Sequence, residues 1–139
     1  MSKKILVVDD EAHIVHVVSM KLANAGYEVL TATDGEEALE LALAEKPDLI
    51  VTDFHMPLMD GMELCCKLRD QLGPGRAIPA VMLTARGYAL EPEDMARAGI
   101  CQVLSKPFSP RDLLATVQGV LEQREQPVAG DATVPETRP

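Results

Sequence analysis

Five times along the chain a short apolar run is followed by a segment whose apolar residues fall at helical spacing. Parallel strands need long crossovers, usually helical, and strands buried on both faces read as unbroken apolar runs, so the alternation predicts an α/β domain built on a parallel sheet. The runs Ile5 to Val8, Glu28 to Ala32, Leu49 to Thr52, Ala80 to Leu83 and Gln102 to Leu104 are the expected strands. At 139 residues the chain fits one ordinary domain with a real core.

The helices between the strands carry their own punctuation. The first has Ile14, Val18 and Leu22 four apart and ends near Asn24-Ala25-Gly26, where glycine suits a left-handed terminus. The second starts at Asp34-Gly35-Glu36-Glu37 and the third at Asp60-Gly61-Met62-Glu63, each an acidic cap with Glu three residues on, the pattern of a capping box. The third should bury Leu64, Leu68 and Leu72. Ser109-Pro110 opens the fifth, with Leu113, Leu114, Val117 and Leu121 as its stripe. Gly87 and Pro92 interrupt the fourth, where only Glu93 to Ala98 reads as helix, and the stretch before it is expected to be mobile. Beyond Arg124 the composition turns to Pro127, Gly130, Pro135 and Pro139, which divides the chain into a folded part, 1–125, and a disordered tail, 126–139.

Charge and motif usage exclude several classes of function. A net charge of −9 argues against direct contact with nucleic-acid backbone, which calls for a basic stripe. No apolar run approaches the ~20 residues that cross a bilayer. The basic start Lys3-Lys4 is followed by an apolar run that stops at Asp9-Asp10, too short for a signal peptide, so the expected location is the cytoplasm. Cys65, Cys66 and Cys101 offer neither paired bridges nor C-x-x-C spacing and read as small buried hydrophobes. His13 and His16, three apart on the first helix, have no third ligand near in sequence. Met56, Met59 and Met82 read as packing residues.

In open parallel sheets, ligands sit beyond the carboxyl ends of the strands. Asp9-Asp10 close the first strand, Asp53 the third and Thr84 the fourth, while the fifth runs into Lys106. Taken singly, these are helix caps, a surface hydroxyl and a solvated loop lysine; it is their shared edge that points to chemistry. Three adjacent carboxylates repel one another unless a cation offsets them, and oxygen ligands suit Mg²⁺, which keeps open positions for a phosphoryl oxygen. A carboxylate nucleophile, a metal, an ammonium and a hydroxyl are the parts phosphoryl transfer needs. Asp53, alone at its strand end, is the expected nucleophile; Lys106 would pair with the phosphoryl group and Thr84 would donate a hydrogen bond to it.

With those residues placed, residues 3 to about 123 resemble the response regulator receiver family of two-component signalling. The stretches that carry the resemblance are Ile5-Leu6-Val7-Val8-Asp9-Asp10-Glu11, Asp53 followed by Met56-Pro57-Leu58-Met59-Asp60-Gly61, Leu83-Thr84-Ala85 and Lys106-Pro107-Phe108. The resemblance implies a flavodoxin-like fold of strand order 2-1-3-4-5. It implies that Asp53 takes a phosphoryl group from a histidine kinase or histidine phosphotransfer protein, that Asp10, Asp53 and the His55 carbonyl bind Mg²⁺, and that Asp9 reaches the metal through water. The only reaction it implies is the chain's own phosphorylation and dephosphorylation, switching its conformation toward a downstream partner or output domain. It also implies a cis Lys106-Pro107 bond, a form found in about 5–6% of X-Pro bonds.

One departure stands out: the position three before the lysine, often Tyr or Phe in such receivers, is Val103. His55 and Arg86 fall where the family shades the phosphoryl group from water. Two rival functions fit less well. A phosphohydrolase of the haloacid-dehalogenase kind would carry a second Asp two residues after the nucleophile, where this chain has His55, and a receiver fold kept only as a binding module would have lost the acid pair, the acceptor or the lysine. No G-x-x-x-x-G-K-[ST] loop occurs.

Overall fold

The middle of the sheet is apolar without a break because helices cover it on both sides. The computed structural model describes residues 2–73, 77–85 and 90–125. In chain order the elements are β1 (Lys4–Val8), α1 (Ala12–Asn24), β2 (Glu28–Ala32), α2 (Gly35–Glu45), β3 (Leu49–Asp53), α3 (Gly61–Leu72), β4 (Ala80–Thr84), α4 (Pro92–Ala98), β5 (Ile100–Ser105) and α5 (Pro110–Glu125). All neighbouring strands run parallel in the order β2-β1-β3-β4-β5, as expected. The tail from 126 and Arg86 lie outside the described residues, as does most of the stretch expected to be mobile.

Strand alternation divides the core in two. Ile5, Val7, Leu49, Val51, Val81 and Leu83 turn to one face and pack against Val18 and Leu22 of α1 and Leu113 and Val117 of α5. Leu6, Val8 and Ile50 turn to the other, against Ala38 and Ala42 of α2 and Leu64 and Leu68 of α3. A third cluster, Cys65, Ala80, Met82, Ala98 and Ile100, continues that second face toward α4, with Val103 packed against it. β1, β3 and β4 are the inner strands; β2 and β5 form the edges and are the ones with exposed positions.

Local details differ from the expectation in several places, each for a physical reason. β3, β4 and β5 extend one or two residues further, so Asp53 and Thr84 are themselves the last ladder residues of their strands. The buried stripe of α1 runs through Val15, Val18 and Leu22, with Ile14 only partly covered, because three-residue and four-residue steps both keep to one helix face. Val120 joins the stripe of α5, where Leu114 is only partly buried. Asp34 and Asp60 cap their helices by accepting the N–H of Glu37 and Glu63 at 2.8 Å, but the reciprocal half of each capping box is absent. Glu37 accepts the Thr33 N–H instead, and Glu63 pairs with Lys67 one turn on.

The cysteines also part company. Cys65 is buried and its thiol is pushed up to about 12 by desolvation, which leaves it an inert apolar side chain. Cys66 is half-buried, and Cys101 is exposed, contrary to the expectation of a buried hydrophobe. The register explains it: Ala80 pairs with Ile100 and Val81 with Gln102, so Cys101 is the extra residue of a bulge on an edge strand.

Because Leu22 is sealed at the centre of the first cluster, Leu22→Ala should cost about 2–5 kcal/mol in urea unfolding. Met20→Ala, on the exposed side of the same helix, should stay within about 0.5 kcal/mol.

Candidate functional site

The carboxyl ends of β1, β3 and β4 deliver Asp9, Asp53 and Thr84 to one edge of the sheet, and the loop after β5 adds Lys106. Asp53 and Thr84 are fixed by ladder pairing, to Leu83 and Ser105 respectively. The Lys106 N–H donates to the Thr84 carbonyl at 2.8 Å, which ties the lysine to the end of β4. The Lys106-Pro107 bond that follows is cis, as expected.

Lys106 is the hub. Its ammonium lies 3.1 Å from Asp9 Oδ2, 3.1 Å from Glu11 Oε1 and 3.2 Å from Asp53 Oδ1. Asp9 is fully buried and uses its other oxygen to accept the Glu11 N–H at 2.9 Å. Asp53 is 3% exposed, while Asp10 is open to solvent beside them. Among the described residues, one group of acidic, histidine or cysteine side chains could share an ion: Asp9, Asp10 and Asp53, whose ligand atoms lie within 4.8 Å of one another. His13 and His16 are not part of it; both are exposed on α1.

The electrostatics follow from that crowding. Burial raises the Asp53 carboxyl above its ordinary 3.8, with Asp10 adding to the shift and Lys106 opposing it. Asp9 is raised for the same first reason, further by the charge of Asp53, and is held back by the Glu11 N–H and Lys106. Burial alone would lower the Lys106 ammonium, but hydrogen bonds to Glu11 and Asp9 and the charges of Asp9 and Asp53 outweigh it and raise the group. One ammonium therefore faces more negative charge than it can balance.

The Thr84 side chain is fully buried, and its Oγ1 has no hydrogen-bond partner among the described residues. A buried hydroxyl left unpaired costs about 1–3 kcal/mol, and the same is true of Ser19 Oγ on α1. Thr84, however, ends β4 at the carboxyl edge, where a group bound beside the carboxylates could accept from it. His55 is exposed and stands edge-on to Phe54, with ring centroids 4.8 Å apart. The loop it begins contains a γ-turn: the Met59 N–H donates to the Pro57 carbonyl at 2.8 Å, and Leu58 between them has φ +73°.

Nothing in the sequence flagged Thr52 or the backbone role of Gly61. The Thr52 hydroxyl donates to the Asp53 carbonyl at 3.0 Å inside the protein. A threonine inside an apolar strand run gives no signal of such a bond; only the fold brings it out. Gly61 is visible as a helix start, but not as a residue packed against Asp53.

Comparison with known proteins agrees with this geometry. The response regulator receiver domain family matches residues 5–118. The alkaline phosphatase synthesis transcriptional regulatory protein PhoP of Bacillus subtilis is 46% identical over 125 residues, covering 90% of this chain and 51% of PhoP. The chain thus spans about half the length of the curated relatives it matches. Among solved structures, the chemotaxis response regulator CheY4 of Vibrio cholerae superimposes with a TM-score of 0.75 at 38% identity, covering 86% of this chain and 99% of that one. A CheY-like receiver domain protein of Methanospirillum hungatei gives a TM-score of 0.78 at 34% identity, over 90% of this chain and 98% of that one. Five parallel strands in this order, an acidic cluster at their carboxyl edge and a family match over most of the folded chain make this protein a response regulator receiver domain of two-component signalling.

Proposed function

We propose that Asp53 is the phosphoacceptor of this receiver and that Asp9, Asp10 and the His55 carbonyl serve a Mg²⁺ ion beside it. The observation that carries the proposal is the Asp53 carboxylate, nearly sealed from water yet 3.2 Å from the Lys106 ammonium within an all-oxygen donor set. That donor set suits a hard divalent cation, and the surplus negative charge gives it a reason to bind. Asp10, exposed and close to both partners, is the direct ligand with Asp53; Asp9, whose two oxygens are taken by Lys106 and the Glu11 N–H, acts at one remove, through water.

The donor is a phosphohistidine on a histidine kinase or a histidine phosphotransfer protein, the partners with which receiver domains work. An Asp53 oxygen attacks phosphorus, the P–N bond to the histidine breaks, and the imidazole leaves with its electron pair. Bound Mg²⁺ would neutralise charge on the transferring group. Lys106 exchanges part of its contact with Asp53 for a phosphoryl oxygen, and the unpartnered Thr84 hydroxyl donates to another. No chemistry beyond the chain's own phosphorylation and dephosphorylation is proposed. Residues 1–125 form the acting unit, 126–139 a tail, and the cytoplasm is the place of action; the target of the switched state is a separate protein or an output domain.

Asp53→Asn should abolish the mass gained from a small acyl phosphate or phosphoramidate donor in the presence of Mg²⁺. Equal labelling of that variant would refute Asp53 as acceptor.

Titration calorimetry should show Asp10→Ala losing more Mg²⁺ affinity than Asp9→Ala, and the metal site lies elsewhere if both bind as the parent does. Protons compete for carboxyls that burial has raised, so the rise in melting temperature on adding Mg²⁺ should be full only above the raised Asp9 and Asp53 values. It should shrink as pH falls through the raised Asp9 and Asp53 values toward 3.8.

Thr84→Ala should still label at Asp53 but lose the change in amide exchange that a phosphoryl mimic produces at residues 85 and 90–98. An unchanged response in the variant would remove Thr84 from the switch.

A further inference from the structure

The acceptor carboxylate has few contacts of its own, yet the backbone beside it is held by three hydrogen bonds. The Phe54 N–H donates to the Leu83 carbonyl at 2.8 Å, and the Phe54 carbonyl accepts the Gly61 N–H at 2.9 Å. The Asp53 carbonyl oxygen between them accepts the buried Thr52 hydroxyl at 3.0 Å. The same oxygen is approached by the first residue of α3: a Cβ added to Gly61 would stand 2.5 Å from it and 3.2 Å from its carbon. Gly61 does not have a positive φ, so backbone freedom is not why glycine stands there. The need is for a bare Cα against this one peptide group. Met82 Sδ, 2.8 Å from the same added atom, belongs to a side chain packed in the core and would have to shift as well, but it has rotatable bonds to do so; a carbonyl held by the sheet has none.

We infer that Thr52 and Gly61 are positioning residues for the acceptor: a hydroxyl and a bare α-carbon fix the Asp53–Phe54 peptide plane and thereby aim the Asp53 carboxylate. That plane sets ψ of Asp53, and ψ with the strand-fixed φ sets the direction of the Cα–Cβ bond that carries the nucleophile. Ordinary contact distances begin near 3.4 Å, so an alanine at position 61 demands a displacement of about 0.9 Å, the difference between 3.4 and 2.5 Å. Displacements of that size in a reacting group cost up to ~10²-fold in rate. Neither residue touches the phosphoryl group. Both act through Asp53, so the inference rests on Asp53 as acceptor.

The test compares Thr52→Val, Thr52→Ser and Gly61→Ala with the parent, under saturating Mg²⁺ and small phosphodonor. Thr52→Val keeps the side chain's shape and removes only the donor; labelling of Asp53 should slow about fivefold, the weight of one ordinary hydrogen bond. Thr52→Ser keeps the hydroxyl and should restore the rate to within about twofold, although it packs less well. Gly61→Ala should slow labelling tens of fold, by the ~10²-fold-per-ångström scale. If that variant does not fold, the Thr52 pair decides. Amide exchange at Phe54, read in the absence of phosphodonor, should speed up in Thr52→Val and not in Thr52→Ser. A folded Thr52→Val that labels as fast as the parent, or a Thr52→Ser as slow as Thr52→Val, overturns the inference. A parent that does not label at Asp53, with Phe54 exchange still responding to the lost hydroxyl, would leave the positioning intact and refute the acceptor.

Discussion

Everything at the carboxyl edge of this sheet depends on one ammonium holding buried carboxylates together. Asp9 and Asp53 are almost fully removed from water, which on its own would drive both toward the neutral acid. Lys106 offsets this by standing within 3.2 Å of each, and its own position is fixed by the backbone bond to Thr84. The lysine could not do this from a mobile loop. β5 and its pairing to β4 are therefore part of the site, although they contribute no carboxylate to it.

The sequence makes this arrangement legible because two independent signals converge. The alternation of apolar runs and helical segments predicts a parallel sheet, and the geometry of such sheets says where a ligand must sit. Asp9, Asp10, Asp53, Thr84 and Lys106 each end or follow a strand, so the fold inference alone brings them together without any knowledge of side-chain positions. Strand order is different: periodicity does not distinguish 2-1-3-4-5 from other arrangements, and it came from the resemblance to receivers. The helix caps at Asp34, Asp60 and Ser109 were legible because a capping side chain is a local device, read within three residues.

What stayed hidden depends on contacts far apart in the chain or on register. Cys101 looks like any apolar strand residue until the slip between Ala80 and Val81 shows that it belongs to a bulge. Thr52 sits in a run that reads as plain core, and its hydroxyl has meaning only through the carbonyl it binds. Gly61 reads as a capping-box position, while its nearest non-local neighbour is eight residues back, at Asp53. Sequence patterns report which face a residue takes, and these three matter for what stands opposite that face.

Several features that cost stability stand where a ligand could relieve them. The far edge of the sheet carries ordinary partners, such as Lys4 with Glu45 at 3.1 Å, together with a left-handed Lys46 at the end of α2. At the carboxyl edge stand an unpaired buried hydroxyl on Thr84, two carboxyls raised by burial and Leu58 at a positive φ that leucine rarely adopts. Because Asp9 and Asp53 bind protons more tightly when folded, the metal-free fold loses stability as pH rises from 3.8 through their raised values. Lys106 runs the other way. Its folded value lies above its ordinary 10.5, so its contribution is present across neutral pH and is lost only as pH climbs through that raised value. Once ionised, the carboxylates are held at a cost that the lysine only partly offsets. A cation beside the carboxylates and an anion under Thr84 and Lys106 would each remove part of that cost. Binding and phosphorylation at this edge are then coupled to folding through the same few groups, which is how a local charge change can reach the rest of the domain.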